Sequence, residues 1–352
     1  MAQTQSLVRD GPSAGAAAKR FLVAVVMLLL AACAPTVQQA MRPPAAFQGA
    51  RFDAEAHRFY SFDGAPLGLT VWKPADREPW AVVIGLHGMN DYAETFYLAG
   101  PWWAQQGIAT YAYDARGQGR SPDRGVWGGT RLMTEDLRTA VAVARREHPG
   151  AIVAVVGESM GAATAIAAFS SDDPPRADRL VLVAPAVWGW STMPKSYAAT
   201  LWVGAHTFPF RAVTPPKGVR RRITPSDNTE MLRKLGRDRN MVFTTRIDAV
   251  YGLVRLMERA SDGAGNLNVP TAFLYGAKDQ IIPRASAMRA ARSLPPAART
   301  ALYVNGYHML LRDLQAETVW RDIEGFVRDP AAPFPSGAPR LLPAREALTG
   351  RR

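Results

Sequence analysis

A chain of 352 residues, 48% of them hydrophobic, is long enough for one sizeable α/β core with an insertion, and its single cysteine excludes an intrachain disulfide. The formal net charge is +12. That charge suits a solvated arginine-rich surface or contact with an anionic membrane surface, whereas a nucleic-acid partner is not expected because the sequence carries no nucleic-acid-binding motif.

The first element in chain order is a targeting segment. Arg9, Lys19 and Arg20 precede an apolar run at 21–32, which suits a signal peptide and is short for a membrane-spanning helix. The run ends in Leu30-Ala31-Ala32-Cys33, which resembles a bacterial lipobox with Cys33 as the lipidated first mature residue. Residues 1–33 are then a lipoprotein-type signal, and the mature protein is anchored in a membrane of the cell envelope, facing the periplasm. Cleavage at the A-x-A-like site 32–34 would instead release a soluble exported enzyme. Residues 34–50, with Pro35, Pro43 and Pro44, read as a flexible tether, 51–328 as the folded domain, and 329–352 as a Pro/Arg-rich tail without fixed structure.

A hairpin-like segment at 59–72 opens the domain. Apolar strands follow at 81–86, 108–113, 152–156, 179–184, 271–275 and 301–304, with helical segments between most of them, notably 134–148 and 315–327. This alternation predicts an α/β fold, a mostly parallel sheet with helices on both faces. About eighty residues separate the strands at 179–184 and 271–275, more than a crossover needs, so an inserted helical cap is expected over about 185–266. Its first part carries Trp188, Trp190, Met193, Tyr197, Leu201, Trp202, Phe208 and Phe210. These either glue the cap to the core or line an acyl-chain channel, with Trp188 and Trp202 the candidate substrate contacts.

The chemistry starts where the strand at 152–156 runs into Gly157-Glu158-Ser159-Met160-Gly161 and then an alanine-rich helical segment. Strand, G-x-S-x-G, helix is the form of a nucleophile elbow, which makes Ser159 the candidate nucleophile. A serine hydroxyl needs a base to take its proton, and a neutral imidazole suits that task near neutral pH. His308 follows the strand at 301–304 and is the candidate base; Asp279 follows the strand at 271–275 and would fix the imidazole tautomer. Asp248, in a helical stretch at 244–257, is the rival acid. The other histidines have separate explanations: His57 before the first strand, His87 in the loop after the strand at 81–86, His148 at a helix end, and His206 in the insertion. That loop, His87-Gly88-Met89-Asn90-Asp91, is placed to supply one oxyanion-hole amide, from Met89, and Met160 the other. The turn at 114–121 reads as structural. Phosphate-loop, H-E-x-x-H and paired-cysteine patterns are absent from the sequence, so no metal, nucleotide or redox cofactor is expected.

Together, His87-Gly88, the run 114–121, Gly157 to Gly161, Tyr275 to Asp279 and Gly306-Tyr307-His308 resemble the monoacylglycerol lipase/lysophospholipase (serine aminopeptidase S33-type) branch of the α/β-hydrolases. The resemblance covers most of 51–328. It implies Ser159, Asp279 and His308 as a triad with Met89 and Met160 as oxyanion donors, and a monoacylglycerol or lysophospholipid-like ester as substrate. The chain departs from the family after His87-Gly88, where Asn90-Asp91-Tyr92 stands in place of the usual Gly-Glu-His. Two other functions stay open at this point. One is an acyltransferase using the same acyl-enzyme; the other is a catalytically silent binding lipoprotein on a hydrolase fold. The sequence sets no oligomeric state.

Overall fold

In the computed structural model the described residues are 21, 34–214, 218 and 223–341. Cys33 and the lipobox lie outside them, as does most of the expected signal segment. Among the described residues no helix is long and apolar enough to cross a membrane.

The strands are β1 (Arg51–Asp53), β2 (Arg58–Tyr60), β3 (Pro66–Trp72), β4 (Ala81–Leu86), β5 (Ile108–Tyr113), β6 (Ile152–Glu158), β7 (Arg179–Val183), the short β8 (Ala212–Val213) and β9 (Thr245–Arg246), β10 (Thr271–Gly276) and β11 (Arg299–Tyr303). Nine of them form one sheet in the order β1-β2-β3-β5-β4-β6-β7-β10-β11. The three amino-terminal strands are antiparallel, and from β5 to β11 every pairing is parallel. His57 therefore lies in the β1–β2 turn rather than before the first strand. Strands β4, β5 and β10 are buried along their whole length, because a parallel sheet is covered on both faces and its strands read as continuous apolar runs.

The period-2 alternation of side chains divides the core. Val82, Ile84 and Leu86 face a layer built from helices α2 (Thr130–Glu147), α3 (Met160–Phe169), α6 (Ile247–Gly263) and α7 (Arg284–Ser293). Ala81 and Val83 face the layer of α1 (Ala99–Gln105) and α8 (Ala316–Arg328). Between β7 and β10 the chain leaves the sheet to form the cap, with α4 (Lys195–Thr207), the β8–β9 pair, α5 (Thr229–Leu235) and α6, the last packed along α3.

Both flanking segments depart from expectation. In place of a free tether, 36–41 is fastened to the domain: the Thr36 N–H donates to Asp248 at 3.2 Å, the Gln38 N–H to the Trp127 carbonyl at 2.9 Å, and the Met41 N–H to Asp63 at 2.8 Å. The tail is ordered through 341. Its Pro339 carbonyl accepts the Leu302 N–H at 2.8 Å, Ser336 binds Asp322, and Leu341 is buried. A proline-rich strip cannot make a regular strand, yet it covers the outer edge of β11 with such single bonds.

The turn at 114–121 is a structural clamp. Asp114 accepts the Ala93 N–H at 2.9 Å and the Arg120 N–H at 2.8 Å, and the buried Arg116 guanidinium bridges Asp63 and Asp136 at 2.7–2.9 Å. Breaking a buried ion pair strands an uncompensated charge. Arg116→Met, which leaves two carboxylates without their cation, is therefore expected to lose about 3–5 kcal/mol of stability. Urea denaturation measures this, and an unchanged midpoint would refute the clamp.

Candidate active site

Ser159 sits at the tip of β6 with φ 55° and ψ −113°, a backbone conformation that L-residues rarely adopt. The flanking glycines make it possible. A Cβ on Gly157 would lie 2.6 Å from the Ala162 nitrogen, and one on Gly161 would lie 2.2 Å from the Leu86 carbonyl oxygen of β4. The serine backbone is pinned on either side: its N–H donates to the Val183 carbonyl at 2.9 Å, and its carbonyl accepts from Ala163 and Ala186 at 3.0 and 3.1 Å. What remains free to act is the side chain.

Two other strand ends converge on it. The loops after β10 and β11 touch backbone to backbone, for a Cβ on Gly276 would meet the Tyr307 carbonyl oxygen at 2.3 Å, and the Lys278 N–H donates to the Gly306 carbonyl at 2.9 Å. Asp279 uses its two oxygens separately. Oδ1 accepts the Ile281 and Ile282 N–H groups at 2.8 and 3.0 Å, while Oδ2 lies 2.8 Å from His308 Nδ1. The turn-capping role and the histidine-orienting role thus coexist in one carboxylate. With the proton on Nδ1 donated to Asp279, the other ring nitrogen is left as an acceptor. Burial pulls the His308 imidazole down, but the charge and hydrogen bond of Asp279, aided by the charge of Glu158, outweigh it and hold the group above its ordinary range.

Asp248 is not part of this arrangement. It lies in α6 and is consumed by Arg246, at 2.6 and 3.0 Å, and by the Thr36 N–H. Its candidacy as the acid is overturned because helix phase points it away from the cavity that His308 borders.

The loop after β4 runs against Ser159. A Cβ on Gly88 would lie 3.4 Å from the Ser159 Cβ, so Met89 follows directly at the serine. Met160 is the first residue of α3, where an α-helix leaves its N–H groups without partners inside the helix. His87 fastens this loop: its Nδ1–H donates to the Gly88 carbonyl at 2.7 Å, and its Nε2 accepts the Ala115 N–H at 2.8 Å. Burial lowers the His87 pKa and so favours the neutral ring that this bonding requires. The cap also reaches the loop, through Asn90 Nδ2 donating to Thr245 Oγ1 at 2.8 Å.

Ser159 and His308 border one cavity of about 650 Å³. Its far wall is apolar and belongs to the cap, with Trp188, Met193, Leu201, Leu253 and Met257. Sequence reasoning named the first three and missed the α6 residues, although Val250, Leu253, Val254 and Met257 recur at helical spacing. Trp202 is a correction. It is 55% exposed, stacks on His206 at 4.4 Å and does not line the cavity, because Tyr197 and Leu201 occupy the inward stripe of α4 and Trp202 falls on the next one. Phe208 and Phe210 are likewise exposed. A larger groove of about 790 Å³ lies on the opposite side of α6, lined by Asp248, Arg255, Glu258 and Arg259, and contains neither Ser159 nor His308. Sequence reasoning also passed over Arg312, whose buried side chain pairs with Asp91 and Glu158 beside Ser159.

The sequence and the fold have counterparts. The monoacylglycerol lipase of Mycolicibacterium smegmatis is 25% identical over 292 residues, covering 77% of this chain and 96% of that protein. A soluble variant of the monoglyceride lipase of Saccharomyces cerevisiae, solved with a substrate analogue, shares the fold with a TM-score of 0.66 at 16% identity, over 84% of this chain and 100% of that one. The monoacylglycerol lipase of Paleococcus ferrophilus shares it with a TM-score of 0.61 at 20% identity, over 75% and 99%. The family model described as "Serine aminopeptidase, S33" matches residues 77–315, more than half of the sequence. With an α/β-hydrolase sheet and this match, the chain belongs to the serine aminopeptidase S33 family of hydrolases.

Proposed function

We propose that the protein is a serine carboxylic-ester hydrolase that cleaves monoacylglycerol or lysophospholipid-like lipids through an acyl-enzyme on Ser159. One observation carries this reading: a strained elbow serine and an Asp279-bonded histidine border the same cavity, and its opposite wall is apolar. Such a wall suits an acyl chain, which gains roughly 0.8 kcal/mol for each methylene buried. The monoacylglycerol lipase relatives support the same substrate class.

In the proposed reaction His308 Nε2 takes the Ser159 hydroxyl proton as Oγ attacks the ester carbonyl. Asp279 holds the ring and stabilises the imidazolium that forms. The negative charge developing on the carbonyl oxygen falls to the amides of Met89 and Met160. Collapse of the tetrahedral intermediate breaks the bond to the alcohol, which leaves with the proton from Nε2. Water then repeats the sequence on the acyl-enzyme, with His308 again as base, and releases the fatty acid.

Replacing Ser159 by alanine is expected to fold normally and lose ester hydrolysis by several orders of magnitude, and Asp279→Asn to lower kcat on the order of 10⁴-fold by favouring the wrong tautomer. Steady-state kinetics on a soluble ester measure both; residual turnover near wild type in either variant would contradict the assignment. Trp188→Ala is expected to reduce kcat/KM for decanoyl esters more than for acetyl esters, since only the long chain reaches the cap wall. An equal loss for both esters would make Trp188 a packing residue. The membrane anchor is proposed from sequence alone: labelled palmitate should enter the wild-type protein in bacteria and not Cys33→Ser, and equal labelling of the two would refute lipidation at that residue.

A further inference from the structure

Three segments of the site meet on one guanidinium. Arg312 is fully buried, four residues beyond His308, and its Nη2 donates to Asp91 Oδ2 at 2.5 Å and to Glu158 Oε1 at 3.2 Å. Asp91 lies two residues after Met89, and Glu158 immediately precedes Ser159. The loop of the base, the loop of the oxyanion amides and the strand end of the nucleophile therefore each send one charged side chain to a common point on the cavity wall.

This cluster is poorly built as a stability device. A buried ion triad seldom repays its desolvation, and when stability is its purpose its polar atoms are satisfied. Here Arg312 Nε and Nη1 and Glu158 Oε2 are buried with no hydrogen-bond partner among the described residues. The backbone around Arg312, by contrast, is held firmly. Asn228 Nδ2 of the cap donates to the Arg312 carbonyl at 3.0 Å, and Asp313 accepts the Ser226 hydroxyl and the Tyr307 N–H at 2.6 and 2.7 Å. The guanidinium is thus a fixed post to which the other two segments are tied.

We propose that Arg312 is a positioning residue of the hydrolase reaction, holding the oxyanion loop through Asp91 and the nucleophile through Glu158 in register with His308. The inference rests on the serine-hydrolase reading above. Its electrostatic consequence has a defined sign. The charged groups around His308 are Asp279 from the β10 loop, Glu158 from β6, and Arg312 and Asp313 from its own loop. Glu158 favours the imidazolium and Arg312 opposes it. Because the base must be neutral, removing the Arg312 charge moves the acid limb of the pH–rate profile to higher pH, and removing the Glu158 charge moves it to lower pH.

The test is the pH dependence of p-nitrophenyl butyrate hydrolysis by the full-length protein and its Arg312→Met, Arg312→Lys and Glu158→Gln variants. Arg312→Met should lower kcat on the order of 10²-fold with little change in KM, as expected for a small misplacement of reacting groups. Arg312→Lys should return the acid limb toward wild type while recovering kcat only in part, since a lysine supplies the charge without the planar group whose Nη2 meets both carboxylates. Glu158→Gln should shift the limb in the opposite direction from Arg312→Met. If Arg312→Met does not fold, the direction of the Glu158→Gln shift and the Arg312→Lys kcat decide. Wild-type kcat in both Arg312 variants, or limbs that stay fixed or move the same way, would overturn the proposal while leaving the hydrolase reading intact. A wild-type protein inert toward esters would overturn that reading and this inference with it.

Discussion

The site depends on the backbone conformation of one residue. Holding a non-glycine residue at φ 55° and ψ −113° costs on the order of 1–3 kcal/mol, and it persists only where the surroundings over-determine it. Here the surroundings are deeply buried. Strand β6 lies between β4 and β7 in the middle of the parallel sheet, helix α3 is buried at every position, and the serine's own N–H and carbonyl are committed to Val183, Ala163 and Ala186. The glycines at 157 and 161 let α3 turn back within contact of Leu86. The sheet's cohesion thus maintains a serine hydroxyl at the cavity wall on a rigid support, which a loop could not provide.

Helix α6 organises the space above it. Residues 250, 253, 254 and 257 form an apolar stripe over Ser159, and the other face of the same helix carries Asp248, Arg255, Glu258 and Arg259 toward the groove. One helix therefore separates a cavity with an apolar wall from a groove bearing charged side chains by its 3.6-residue period. Contacts from Asn90 to Thr245 and from His308 to Pro225 tie this cap to the loops after β4 and β11, so cap and candidate site form one packed unit.

Much of this was legible in the sequence because it is local. Continuous apolar runs such as that of β6 identify buried parallel strands, and Ser159, Asp279 and His308 each lie shortly after the end of a strand. The structure brings Asp279 and His308 into hydrogen-bond contact. What escaped is what depends on distant partners or on helix phase. Arg312 has no local signature, since Asp91 lies 221 residues away in sequence and Glu158 lies 154 away. Trp202 is as apolar as Leu201, yet one residue of helix rotation, about 100°, carries it from the cavity wall to the outside. The flanks at 34–50 and 329–341 were misread because proline content speaks to regular structure and not to docking: single hydrogen bonds to Asp248, Trp127 and Leu302 fasten them without a strand or helix.

The account stands on Ser159 becoming acylated. The most direct measurement is mass spectrometry of the protein after reaction with a long-chain alkyl fluorophosphonate, followed by peptide mapping of the adduct. The account predicts a single covalent adduct on the peptide containing Gly157-Glu158-Ser159-Met160-Gly161, located on Ser159. An unmodified protein, or an adduct on another residue with Ser159 untouched, would contradict it.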